Sequence, residues 1–148
     1  ELKKSLELNP NLARAHFGLG LALHWAGQAE EALSHYHWAI RQSPRDPLRW
    51  AFENGIGSAY IVLGKHEQAM EWCRAAATHP DCSFWPHVNL AVIHDHFGQH
   101  GDAKTAIDAA LSKRPNLTVK AIAGMLRGMN PRYKEAFLNK LRKAGLPE

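Results

Sequence analysis

Cysteine is scarce in this sequence, and long apolar runs are absent. Only Cys73 and Cys82 occur among 148 residues, too few for a disulfide framework in a chain of this size, so we expect a reducing, cytoplasmic setting. No apolar run approaches the roughly 20 residues that cross a membrane. The opening segment ELKKSLELNP has neither an initiator Met nor a hydrophobic signal region, and we expect a piece of a longer protein.

The short motifs of common catalytic sites are also missing. The sequence has no glycine-rich phosphate loop, no Ser/His/Asp or Cys/His order in a supporting context, and no zinc-knuckle spacing. We therefore expect no enzymatic activity and no cofactor.

The net positive charge of the chain comes from its C-terminal end. Residues 1–117 carry 11 Lys and Arg against 12 Asp and Glu, whereas residues 118–148 carry 7 against 2. A basic tail of this kind suits an acidic partner or a solvated helix face. Its only aromatic residues, Tyr133 and Phe137, belong to an apolar stripe, so nucleic acid is not the expected partner.

What the chain does contain is an internal repeat. Pro10 precedes Pro44 by 34 residues, and Gly27, Gly64 and Gly98 stand at corresponding offsets. Aligning them gives three full repeats, at 13–46, 50–83 and 84–117, with an insertion at 47–49. Residues 1–12 are then the end of a truncated repeat. Self-similarity at such a period is typical of stacked supersecondary units.

Each repeat predicts a helical hairpin. Its first half has apolar or small residues at helical spacing, and the glycines just named supply the left-handed residue that ends a helix. Acidic residues such as Glu30 and Glu31 open the second helix, where they complement the helix dipole. Small residues at Gly20, Ala32 and Ala39 predict a close approach of the paired helices.

These offsets resemble the tetratricopeptide repeat. Its pattern of Leu-Gly, aromatic, Ala, aromatic, Ala and Pro is matched by Leu19, Gly20, Leu23, Ala32, Tyr36, Ala39 and Pro44. The resemblance covers residues 1–117 and implies an all-α superhelix, a solenoid of antiparallel helix pairs within one domain, 1–148. The position that usually holds Trp carries His16, Glu53 and His87, and we expect weaker packing there.

A repeat array needs a cap at each end, because its terminal repeats otherwise expose an apolar face. Residues 118–148 predict capping helices: Asn130 as N-cap, Pro131 at the first helical position and Gly145 as the left-handed residue after the last helix. The stripe of that helix is Tyr133, Phe137, Leu141 and Ala144, and Leu146 is expected to fold back on Leu141. At the other end Leu2, Leu6 and Leu8 lack partner surface, which predicts self-association or coverage by upstream sequence.

The segment VIHDHFGQHGDA, residues 92–103, raises the question of a metal site. His94 and His96 are about 200° apart on a helix, as are His35 and His37, so neither pair shares an ion. His94 is predicted to be a core histidine, and no metal is expected. Metal or small-molecule sensing through the histidine-rich face stays open as the alternative function.

The resemblance also implies a concave groove lined by the first helices, which makes the chain a module that binds a protein or peptide segment or a neighbouring domain. Only Asn54 fits the polar clamp with which some such domains hold C-terminal carboxylates, so an apolar or mixed segment is expected. Phe17, Trp25 and Trp85 are candidate anchors; packing is the expected role of Phe17 and the alternative role of Trp25 and Trp85. In this family, fixed positions of each first helix face the groove. In the three repeats of this chain these positions hold, in order, Arg14, Phe17, Leu21, His24 and Trp25; Ala51, Asn54, Ser58, Ile61 and Val62; and Trp85, Val88, Val92, Asp95 and His96.

A narrower resemblance rests on SPRDP, residues 43–47, and on the ending LRKAGLPE. Both look like the C-terminal repeat region of large bacterial signalling proteins, notably class III adenylate/guanylate cyclase-like enzymes and related winged-helix regulators. The resemblance implies a regulatory or interaction module. None of the metal-binding aspartates of a cyclase has a counterpart here, so it implies no activity.

Overall fold

The computed structural model describes residues 10–148, where the chain forms eight α-helices and no β-strand. The predicted all-α class is confirmed. The chain divides into two compact units, Glu1–His79 and Pro80–Glu148; Leu2, Leu6 and Leu8 lie outside the described residues. The helices are α1 (Pro10–Trp25), α2 (Ala29–Gln42), α3 (Arg49–Val62), α4 (His66–Ala77), α5 (Trp85–His96), α6 (His100–Lys113), α7 (Val119–Met125) and α8 (Pro131–Ala144).

The N-terminal unit contains two helical hairpins, α1 with α2 and α3 with α4, and α2 packs against α3. Each hairpin turns at a glycine with positive φ, 84° at Gly27 and 75° at Gly64, a conformation that costs other residues more. The amide after each glycine donates to a carbonyl five residues back, as Gln28 N does to Leu23 O at 2.8 Å. The predicted left-handed turns are confirmed.

Tyr36 is the largest fully buried side chain in the middle of this unit. Its ring lies between two glycines on different helices: a Cβ atom at Gly20 of α1 would stand 2.5 Å from Tyr36 Cε1, and one at Gly55 of α3 would stand 3.0 Å from it. The missing side chain at Gly20 therefore makes room for the Tyr36 ring of the second helix, and the close approach of the paired helices stays a prediction. A Cβ atom at Gly57 would likewise collide with Cys73 Sγ.

The connection from α2 to α3 is organised by a buried carboxylate. The Asp46 side chain is fully enclosed and accepts hydrogen bonds from Leu48 N at 2.9 Å and from Ser43 Oγ at 3.1 Å. Arg14 Nη2 lies 3.4 Å from its Oδ1 atom. The three-residue insertion between the first two repeats is thus held by side-chain bonds, a role that the offset pattern did not predict.

The C-terminal unit consists of the α5–α6 hairpin, which turns at Gly98 with φ of 70°, followed by α7 and α8. Helix α8 packs mainly against α5, and less against α6 and α7. Asn130 Oδ1 accepts from Arg132 N at 3.0 Å, and Gly145 is left-handed with φ of 102°. Leu146 is buried, and its amide donates to Leu141 O at 3.0 Å, so the predicted cap, stop and fold-back are confirmed.

Candidate partner-binding surface

Helix α1 carries the first five predicted groove residues, and two of them are tied into the N-terminal unit. Phe17 is half-buried, with its ring centroid 5.7 Å from that of Tyr36 and 5.2 Å from that of Phe52. Phe17 therefore packs within the unit, as expected. Arg14 is 47% exposed and reaches back to Asp46, which leaves part of its guanidinium accessible from outside.

Leu21, His24 and Trp25 continue the same helix and are each half-buried. The His24 and Trp25 rings meet edge to face, with centroids 6.0 Å apart at 90°. Burial lowers the pKa of His24 from its usual 6.5, because an enclosed imidazolium loses hydration. Its Nδ1 atom has no hydrogen-bond partner among the described residues. This end of α1 is thus an apolar and aromatic surface with an uncharged imidazole at pH 7.

Helix α3 supplies a more polar set. Ala51, Asn54, Ser58 and Val62 are half-buried, whereas Ile61 is 6% exposed. Asn54 and Ser58 place amide and hydroxyl groups, which can both donate and accept hydrogen bonds, one helical turn apart. The prediction for Ile61 needs correction, because an enclosed side chain belongs to the core and is not available to a partner.

Helix α5 departs most from the predicted groove. Val88 is 0% and Val92 1% exposed, and neither is available to a partner, which corrects the prediction for both. The physical reason is that α5 has two neighbours in the C-terminal unit, α6 and α8, and every residue from Val88 to His94 is buried.

The two ends of α5 differ from its middle. Trp85 is half-buried and tilted against Phe84, with centroids 5.2 Å apart. At the other end His96 is exposed and meets the exposed Phe97 edge to face at 5.1 Å. The Asp95 side chain is 7% exposed, and its Oδ1 atom lies 3.9 Å from His100 Nδ1. Only the ends of this helix therefore offer side chains to solvent.

The histidine-rich segment places its side chains apart. His94 is 8% exposed, and its Nδ1 atom lies 2.7 Å from Gln99 Oε1, a spacing at which the imidazole N–H donates to the amide oxygen. The prediction of a core histidine is confirmed. Within residues 10–148 no group of three or more His, Cys, Asp or Glu side chains is arranged to hold a metal ion.

The three residues at the usual Trp position each have a polar or aromatic neighbour. His16 stacks on Trp38, with centroids 3.7 Å apart, and its Nδ1 atom is 3.0 Å from His35 Nδ1. The other two positions make polar contacts. Glu53 Oε1 accepts a hydrogen bond from Arg49 Nε at 2.7 Å and lies 3.4 Å from His79 Nε2. His87 Nε2 lies 4.0 Å from Cys82 Sγ. The sequence pattern missed these neighbours, because most of them come from outside the helix that carries the residue.

Comparisons with known proteins agree with this architecture. The sequence profile described as tetratricopeptide repeat matches residues 1–47 and 25–81. The crystal structure of MamA is similar, with a TM-score of 0.64 and 19% sequence identity, over 96% of this chain and 81% of that one. No curated protein sequence matches the chain. No helix among the described residues has the length and apolar character to cross a bilayer.

Proposed function

Because the chain belongs to the tetratricopeptide repeat family, we propose that it is a binding module that holds a segment of another protein against the first helices of its N-terminal unit. Repeats of this family mediate contacts between proteins and recognise their partners on extended concave surfaces. The observation that carries the proposal is the half-buried, aromatic surface formed by Leu21, His24 and Trp25.

The chemistry of this surface defines the partner. Leu21 and Trp25 offer apolar area to a large apolar side chain of the partner, Asn54 and Ser58 add amide and hydroxyl groups beside them, and the accessible part of Arg14 attracts an acidic group. The partner is therefore a mixed segment with one large apolar anchor and an acidic residue. Ala51 and Val62 fit the same surface, and Trp85 and His96 offer contacts on the C-terminal unit. Phe17, Ile61, Val88 and Val92 serve packing, and the Asp95 side chain is nearly as enclosed as that of Ile61.

Two leucines of α1 provide a matched test. Leu21 lies on the proposed surface, whereas Leu19, two positions away and so about 200° around the helix, is 52% exposed on another side. A photo-reactive phenylalanine analogue in place of Leu21 or Trp25 should cross-link a partner from the native cell extract, and the same analogue in place of Leu19 should not. Equal cross-linking from all three positions would contradict the proposed surface.

The wider setting follows from the narrower resemblance. We propose that the module is part of a larger bacterial signalling protein that acts in the cytoplasm, as SPRDP and LRKAGLPE imply. Self-association through the N-terminal edge also remains a prediction. Light scattering over a concentration series tests it, and a constant monomer mass would contradict it.

A further inference from the structure

His16 of α1 and His35 of α2 form a side-chain pair across the first hairpin. Their Nδ1 atoms are 3.0 Å apart, and their ring planes differ by 29°. His16 also lies on Trp38, with ring centroids 3.7 Å apart and planes 28° apart. This stack fixes the plane of the His16 ring and keeps its Nδ1 atom directed at His35.

The relative position of the two rings decides what the pair can do. Their centroids are 5.2 Å apart and their Nδ1 atoms 3.0 Å apart, a difference of about one ring width. Both nitrogens therefore lie close to the line between the ring centres and face each other. Nitrogens that bind one metal ion would instead converge on a point off this line. The geometry is that of an N–H···N hydrogen bond with a single proton between two lone pairs.

The number of protons on the pair sets the strength of this bond. When both rings are neutral, one must carry its proton on Nδ1 and donate to the Nδ1 lone pair of the other. A first added proton goes to the Nε2 atom of the donor ring and makes the bond charge-assisted. A second added proton has to occupy the accepting Nδ1 atom itself. That removes the bond and sets two N–H groups and two positive charges against each other.

We propose that the His16–His35 pair is a proton-operated latch on the α1–α2 hairpin, closed with none or one added proton and opened by the second. Burial, and then the charge of His35, lower the pKa of His16 from its usual 6.5. Unfolded chain therefore takes up this proton at higher pH than folded chain does. The stability that the latch contributes is present above about pH 6.5 and is lost as the pH falls below that value.

The other charged side chains on the helices packed around His16 and His35 either pair with another charged side chain or are exposed. Within residues 10–148, His35 is the charge that acts on His16. On α1 and α3 the charged side chains pair elsewhere, Arg14 with Asp46 and Arg49 with Glu53, which also faces His79. On α2, Glu30, Glu31 and Arg41 are exposed, and Arg41 acts on His37. Among residues 10–148, the two-proton repulsion thus has no neighbouring carboxylate contact to offset it.

Nitrogen-15 spectra of the histidine rings at about pH 8 test the closed state in the unaltered 148-residue chain. We expect one ring of the pair in the Nδ1–H form and a scalar coupling between the two Nδ1 nuclei through the hydrogen bond. Both rings in the Nε2–H form, without coupling, would overturn the proposal before any variant is made.

A titration from about pH 8 to pH 4.5 tests the opening. The pair should take up its two protons in steps at least one pH unit apart, a tenfold difference in affinity. The second step should lower the protection factors of the α1 amides at least threefold, where each factor compares exchange with that of unfolded chain at the same pH, and should change Trp38 fluorescence. His16→Gln and His35→Gln should each leave one titration step and remove the pH dependence of these protection factors. His100→Gln, at a side chain 76% exposed, should keep both steps.

Two results would contradict the latch in this titration. One is that His16 and His35 titrate independently, each in one step that the replacement of the other does not move. The second is that the protection factors of the α1 amides stay constant while the second proton binds, because the hairpin would then not depend on the bond.

Discussion

Two glycines on α1 allow the contribution of helix packing to be measured with one kind of substitution. Gly18 is exposed, and a Cβ atom there would meet no atom within 4 Å. At Gly20 a Cβ atom would stand 2.5 Å from Cε1 and 2.7 Å from Cδ1 of Tyr36. Movement of the ring is restricted, since a Cβ atom at Gly55 of α3 would also stand 3.0 Å from Cε1. Ala should therefore stabilise the protein at position 18 and destabilise it at position 20.

The magnitudes follow from two opposing effects. Replacing a helical Gly by Ala contributes about 0.5 to 1 kcal/mol of stability at either position, because Ala loses less backbone entropy on folding. Inserting a methyl group into a filled core costs about 1 to 3 kcal/mol. The first effect is common to both variants, so Gly18→Ala and Gly20→Ala should differ in their free energy of unfolding by about 1 to 3 kcal/mol.

Urea unfolding of both variants beside the parent chain is the appropriate assay. With a slope of about 2 kcal/mol per molar urea, the two midpoints should lie about 1 M apart. The same overlap predicts coupling: Tyr36→Leu removes the ring, so Gly20→Ala should cost about 1 kcal/mol less in that background. Equal stabilisation by both alanines, with unchanged slopes, would show that Tyr36 does not fill the space beside Gly20 and would refute the packing described here.

Two further predictions concern buried polar groups. Asp46→Ala should lower the free energy of unfolding by about 2 to 4 kcal/mol, because two well-formed hydrogen bonds to a charged acceptor are lost and Leu48 N is left without an acceptor. Urea unfolding measures this loss. A loss below about 0.5 kcal/mol would contradict the role of Asp46. Burial raises the pKa of the Cys73 thiol above its usual 9.0. Alkylation of Cys73 at about pH 8.5 should therefore occur only after global unfolding, and the free energy of unfolding should fall as the pH rises above 9.0. Rapid alkylation of the native chain would contradict this burial.

Local features of the sequence predicted where the helices begin and end. The glycine turns, the Asn130 cap and the left-handed Gly145 were all placed correctly, because each depends on the conformation or hydrogen bonding of a few adjacent residues. The pairing of α1 with α2 was predicted for the same reason, since Gly20 and Tyr36 lie within one repeat, only 16 residues apart.

Contacts over longer distances along the chain were not predicted. Val88 and Val92 occupy groove offsets, yet both are buried, and α8 packs against their helix from about 40 residues further on. A periodic pattern describes the contacts within and between regular repeats, whereas α8 lies outside the repeats. The apolar stripe of α8 showed that it would pack, but the identity of the helix that receives it depends on tertiary structure.

The positions that depart from the repeat pattern show what the family fold leaves free to vary. A Trp would fill its space by apolar burial alone, whereas His16 and Glu53 make polar contacts. Such contacts add charge and protonation to a position whose backbone is already held by Gly20, Tyr36 and the glycine turn. Because the hairpin does not need Trp in order to form, these positions can acquire dependence on pH without loss of the fold. Properties specific to this chain should therefore be sought first where its repeats break their own pattern.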